Sequence, residues 1–257
     1  MRRRILIFAV GSLVAGSAAA ANLTYDPPPA SSPLYAPASL HAAHIELGLG
    51  AATDGNTTVT QLDTVGRLAG PLSSWLKGEA ELSGAAFFSD GNSITSIGAV
   101  GHLYKDSPSH AVGVFVGATR LDDVDIFMFG GEAKGHFGQS AVTGQVALLT
   151  SQGSDLYTGS ARLDHYFAPD HKGSAMLVYY TGSGSSAWLA GLGFEKRFTG
   201  TDWGASASGS YLSATGTSGI WSGRIALKKY FDAPGVTLQD HDRLVPFAAS
   251  SITTIGR

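Results

Sequence analysis

From Ala43 to Phe231 the chain alternates between two kinds of side chain. In the segment 219–231, Trp221, Ile225, Leu227 and Phe231 fall on one side, and Ser222, Arg224, Ala226, Lys228 and Tyr230 on the other. A period of two describes a β-strand whose faces meet different surroundings. Twelve such segments can be marked, at 43–53, 61–70, 75–88, 94–105, 110–120, 126–137, 141–150, 156–167, 174–181, 187–198, 203–213 and 219–231. They are separated by short clusters such as SDGNS, SQGSD and TGTD, rich in the residues that close tight turns. Segments 174–181 and 203–213 alternate least regularly, so ten strands is the alternative count.

One face of these strands carries apolar residues such as Leu82, Val114, Phe129, Leu177, Leu192 and Ile225, and the other carries most of the charge. Four segments end on an aromatic, at Phe137, Phe167, Phe198 and Phe231, with steps of 30, 31 and 33 residues. Each step fits two strands of about ten residues with their turns. An even count brings both termini to one side, so these four rings, with Leu103 and Tyr104, are expected to form a belt at one membrane interface. His165, Lys196 and Lys229 share their face and reach toward headgroups. The predicted fold is all-β: a transmembrane up-and-down antiparallel β-barrel of outer-membrane type.

Composition agrees with this reading. Glycine is 34 of 257 residues and charged residues are 14%, against usual values of about 7% and about 25%. The net charge of −3 and the lack of a basic run past the N-terminus exclude nucleic acid as a partner. Residues 1–20 read as a cleaved signal peptide, with Arg2–Arg4, an apolar run from Ile5 to Gly16 and a small-residue site at Ala18–Ala20. Export without any cysteine means that disulfides do not hold the fold. Residues 21–42 form a leader containing Pro27, Pro28, Pro29, Pro33 and Pro37, residues 43–231 the barrel and residues 232–257 a C-terminal tail. Tyr230 and Phe231 are expected to serve as an internal signal for the barrel-assembly machinery if the tail is an addition.

The Pro-rich leader after Ala-Ala-Ala resembles the mature N-termini of small outer-membrane barrel proteins, porin-like, of certain Gram-negative bacteria. That resemblance implies an outer-membrane location, with outer-membrane lipid and lipopolysaccharide as surroundings.

The sequence offers little catalytic chemistry, and no enzyme is expected. His171 and Ser174, placed in a turn, depart from the His-x-Ser pattern of outer-membrane phospholipase A, and no Gly-x-Ser-x-Gly elbow occurs. A lipid hydrolase is therefore the third reading. Asp122, Asp123 and Asp125 at one turn lack the spacing of a calcium loop, and the eight histidines lack paired-ligand spacing, so neither metal nor cofactor is expected.

The inward face is more informative. Arg67, Lys77, Lys134, Arg162, Arg197, Arg224 and Lys228 oppose Glu46, Asp63, Glu79, Glu81, Glu132, Asp164 and Glu195. These balanced sets argue against a strongly selective pore, which needs rings of one sign. Lys77, Glu79, Glu81, Glu132, Lys134, Arg162, Asp164, Glu195, Arg197, Arg224 and Lys228 are the expected pore-lining residues. Glu132 with Lys134, and Glu195 with Arg197, are the expected pairs. The leading expectation is a porin-like channel passing small polar solutes with weak charge selectivity. The alternative is a structural or surface-interaction barrel that conducts nothing.

Overall fold

The computed structural model describes residues 42–182, 184–216 and 219–247. The expected signal peptide and all but the last residue of the leader lie outside the described residues. Twelve antiparallel strands close into one barrel, each paired with its sequence neighbours and β1 with β12. They are β1 (Ala42–Thr53), β2 (Thr58–Pro71), β3 (Lys77–Ser89), β4 (Asn92–Asp106), β5 (His110–Leu121), β6 (Val124–Phe137), β7 (Ser140–Ser151), β8 (Ser154–Ala168), β9 (His171–Gly182), β10 (Ser185–Arg197), β11 (Trp203–Ala214) and β12 (Ile220–Tyr230). The seam is paired from His44↔Tyr230 to Thr53↔Trp221, so the sheet has no free edge. β9 meets β10 at Ser185↔Gly182, and the amide of Arg197 donates to the carbonyl of Asp170 at the other end, in the same register.

Turn chemistry sets the registers at the end away from the termini. Asp90 and Gly91 have φ of 44° and 80°, and Gln152 and Gly153 have 46° and 80°. Two consecutive positive φ values give the two-residue hairpin whose twist matches that of the strands. Ser89 thereby faces Asn92, and Ser151 faces Ser154. The strands run 11–15 residues, longer than the ten expected, because pairing continues to the turns themselves.

The outer surface is apolar. Leu82, Ile97, Val116, Val146 and Ile225 are each more than 60% exposed, a surface that lipid solvates and water does not. Phe137, Phe167, Phe198 and Phe231 stand outward at the end where β1 begins and β12 ends. Tyr104 does not join them. Its neighbour Leu103 faces out, so Tyr104 points inward, where it is buried. A charge on the outer surface is expensive. Leu192→Arg, near the middle of β10, is expected to lower the unfolding free energy in lipid vesicles by about 2–4 kcal/mol. A urea midpoint equal to that of the wild type would contradict the membrane-facing assignment of this side chain.

A thirteenth element, α1 (Leu238–Leu244), follows the last strand. Thr237 caps it: its hydroxyl accepts from the Asp240 amide while the Asp240 carboxylate accepts from the Thr237 amide. This segment does not extend the sheet. It enters the barrel at the terminal end and fills it. Leu238 and Phe247 are fully buried there, and the amides of Leu238 and Gln239 donate to Asp170 and Pro169 of the β8–β9 turn.

Candidate channel lumen

The interior is layered along the barrel axis. Toward the hairpin end, Ala52, Val59, Phe87, Leu121, Val178, Leu189, Leu212 and Ile220 form one buried cluster. These residues come from strands on both sides of the barrel, so they make an apolar collar across it. Toward the terminal end lie the charges and then the C-terminal segment. Between collar and plug is a cavity of about 190 Å³ lined by Arg224, Asp63, Gln145, Ser160, Arg162 and Met176, among others. The face that carries the charge is not polar along its whole length. Apolar residues occupy that face near the hairpins because a twelve-stranded interior is narrow enough for side chains to meet across it.

Of the eleven expected pore-lining residues, Lys134, Arg162, Asp164, Glu195, Arg224 and Lys228 line this cavity, and Lys77, Glu79, Glu81, Glu132 and Arg197 share the inward face of their strands outside it. An alternating chain of charges runs around the wall. Asp63 binds Arg224; Arg224 reaches Glu46 at 2.5 Å; Glu46 meets Lys228 at 3.1 Å; and Lys228 meets Glu195 at 2.6 Å. Glu195 continues to Lys172 at 2.9 Å, and Lys172 ends on Asp242 of the plug at 2.6 Å. Gly48 leaves room for the first link, since a Cβ there would lie 2.3 Å from the Arg224 guanidinium. Elsewhere Arg162 binds Asp164 at 2.8 Å and donates to the Ser174 hydroxyl at 3.0 Å, Arg67 binds Glu81, and Lys77 binds Asp106 at 2.7 Å.

The two expected pairs, Glu132 with Lys134 and Glu195 with Arg197, do not form. Glu132 accepts from Gln145 and bonds to His102 Nδ1 at 2.8 Å, while Lys134 donates to the backbone carbonyl of Asp242 at 3.2 Å. Arg197 turns to Asp232 at 2.8 Å, not to Glu195, and lies over the Tyr230 ring. Arg162 and Asp164 show that residues two apart on one strand can meet, so at Glu132, Lys134 and Arg197 it is the cross-strand neighbours and the inserted segment that take the partners instead. Both Glu79 oxygens lack a protein partner in this buried belt, with Arg67, His102, Glu81 and Glu132 as the surrounding charges and dipoles.

Lys172 is the central residue that sequence reasoning missed. The run Pro169-Asp170-His171-Lys172 reads as a turn, yet β9 begins at His171 and its alternation places Lys172 on the same face as Ser174, Met176 and Val178. The tail supplies the others. His241 Nδ1 donates to Asp232, which leaves Nε2 to accept from His44 Nδ1 at 2.9 Å. The Tyr166 hydroxyl donates to Asp242 at 2.6 Å, and the Tyr104 hydroxyl donates to the Leu244 carbonyl at 3.1 Å. Phe247 stacks parallel to His102. Thr237 with Asp240, a capping pair before a short amphipathic run, was the legible trace of this element.

His171 and Ser174 do not form a catalytic pair. They are three apart on a strand and face opposite sides: the His171 ring lies near outward Phe194, and the Ser174 hydroxyl is held inside by Arg162. Among the described residues, no three His, Asp or Glu side chains converge as metal ligands, and Asp122 occupies a positive-φ turn position.

No protein-family model and no curated protein matches the chain. Solved structures do. An outer-membrane channel from Pseudomonas putida F1 superposes with a TM-score of 0.57 at 11% identity, over 76% of this chain and 96% of the other. A KdgM porin in complex with disordered oligogalacturonate gives 0.55 at 9% identity, over 73% and 99%. The translocator domain of the autotransporter NalP from Neisseria meningitidis gives 0.52 at 14% identity, over 76% and 89%. The fold is that of an outer-membrane β-barrel. Identities this low carry the architecture and no more, and the three neighbours already bear three different descriptions.

Proposed function

We propose that the chain is an outer-membrane channel for small polar solutes with weak charge selectivity, held shut in this conformation by its own C-terminal segment. The observation that carries this reading is the charged, solvent-sized cavity inside a closed barrel whose terminal mouth is filled by a tethered segment and not by a strand. Porins and channels among its structural neighbours support it. Weak selectivity follows from the pairing of cations with carboxylates around the wall. The apolar collar narrows the other end and favours dewetting until solute enters. In this reading outer-membrane lipid and lipopolysaccharide cover the apolar belt, and the assembly machinery engages Tyr230-Phe231, outside the plug.

The test is conductance in planar bilayers of the full chain and of Asp232→Asn/Asp242→Asn, which loosens the tail without truncating the barrel. The wild type is expected to show rare steps, and the variant frequent ones. A variant that shifts in gel mobility on heating, and is therefore folded, yet conducts at leak level would remove the channel reading. A non-conducting structural barrel is the second reading, favoured by the collar and plug together. In that case the variant would bind cells or lipopolysaccharide as the wild type does and conduct nothing.

A further inference from the structure

We propose that the plug's two carboxylates, Asp232 and Asp242, occupy an anion site built into the barrel wall, and that the lumen's own ligands are small organic anions bearing carboxylate groups. This inference rests on the channel reading only in taking the lumen as the solute path. The wall groups come from one arc of strands, β6 and β8 to β10. Lys172 Nζ and the Tyr166 hydroxyl each hold Asp242 Oδ2 at 2.6 Å. Arg197 holds Asp232 at 2.8 Å, and Lys134 reaches the Asp242 carbonyl at 3.2 Å. Lys134, Tyr166, Lys172 and Arg197 are each no more than 5% exposed.

Charge counting on this arc gives the same answer. The cations here are Lys134, Arg162, Lys172 and Arg197 with Lys228 of β12 on Glu195, five in all, and the carboxylates of the wall and its turn are Asp164, Glu195 and Asp170, three in all. Glu132 of β6 is turned to His102 and Gln145. The wall is two carboxylates short, and of the tail's three aspartates Asp232 and Asp242 meet these cations while Asp240 caps α1. Buried cations without counter-charge are costly, so a barrel whose tail has withdrawn presents a site that favours carboxylates in the same positions. Charge-assisted bonds from a guanidinium, an ammonium and a phenol suit that group. The tail then acts as a tethered competitor, at an effective concentration of roughly millimolar or above.

Calorimetric titration of the detergent-solubilised full chain with succinate tests this, with putrescine and succinamide as controls. Asp232→Asn/Asp242→Asn is expected to bind succinate on the order of tenfold more tightly than the wild type, since its internal competitor is weakened. Adding Lys172→Met and Arg197→Met should abolish that binding, and neither control compound should bind. If the double variant does not fold, Asp232→Asn alone serves for the same comparison. Absence of succinate binding by a folded variant, or equal binding of putrescine, would overturn the proposal. Succinate heat without any conductance would leave the ligand class standing and remove the channel. Conductance with no binding of succinate would do the opposite.

Discussion

Arg224→Met is expected to lower the unfolding free energy of the barrel by about 3–5 kcal/mol. The guanidinium of Arg224 binds both Asp63 and Glu46, and its removal leaves two buried carboxylates, Glu46 with Lys228 and Asp63 with no cation and only the Gln61 amide. Methionine matches the stem, so the loss is electrostatic and not a cavity effect. The cost comes from the orphaned acids, because a charge taken out of water needs its partner. Hence Arg224→Met/Asp63→Asn/Glu46→Gln should regain most of the stability, since neutral amides can hydrogen-bond in place. Urea unfolding in lipid vesicles reads both. A single variant within about 0.5 kcal/mol of the wild type would show that the network contributes little.

Asp242→Asn is expected to release the plug at neutral pH while leaving the barrel folded. Asp242 ends the chain of charges on Lys172 and also takes the Tyr166 hydroxyl. Breaking a buried pair of this kind costs about 3 kcal/mol or more, on the order of a hundredfold in the ratio of docked to released tail. Amide hydrogen exchange across residues 238–247 should rise accordingly, with the strands still protected. The pH dependence has a definite sign. Burial alone would raise the Asp242 carboxyl, but the Lys172 ammonium and its cationic neighbours outweigh this and hold it below the usual carboxylate range. A carboxyl depressed in the folded state stabilises docking fully above its free value of about 4, and that contribution is lost as pH falls through the folded value. The wild-type tail is therefore expected to stay protected from pH 7 to about 5 and to open progressively below about 4. Exchange in the Asn variant that still rises steeply below pH 4 would assign the acid response to another group.

Much of the barrel is legible from the chain alone because a membrane β-strand has opposite demands on its two faces at every residue. Trp221, Ile225 and Leu227 announce one solvent, and Arg224 and Lys228 another; the period of two survives whatever the neighbouring strands contain. The same local chemistry marks the hairpins, since Asp90-Gly91 and Gln152-Gly153 can adopt conformations that most residues avoid. Even β11, nearly all small residues, is recovered because a closed sheet requires its edge to be paired.

The lumen is another matter. Which residues face inward follows from parity, but which inward residues meet depends on the register of neighbouring strands and on what enters between them. Glu195 and Arg197 are two residues apart in sequence, yet they serve different partners, Lys172 with Lys228 and Asp232. Lys172 is hidden because a lysine after Pro-Asp-His reads as turn until pairing with Tyr166 places it on a strand. The fate of the tail is the largest decision left to tertiary structure. Leu238, His241, Asp242 and Phe247 have modest local signals, and their burial depends on an interior wide enough to admit a short helix and charged enough to hold it. The sequence by itself thus determined the wall, because each strand feels lipid and lumen locally. Only the closed barrel decided the plug, because its partners lie about 35 to 197 positions away along the chain and come together through curvature that no single strand contains.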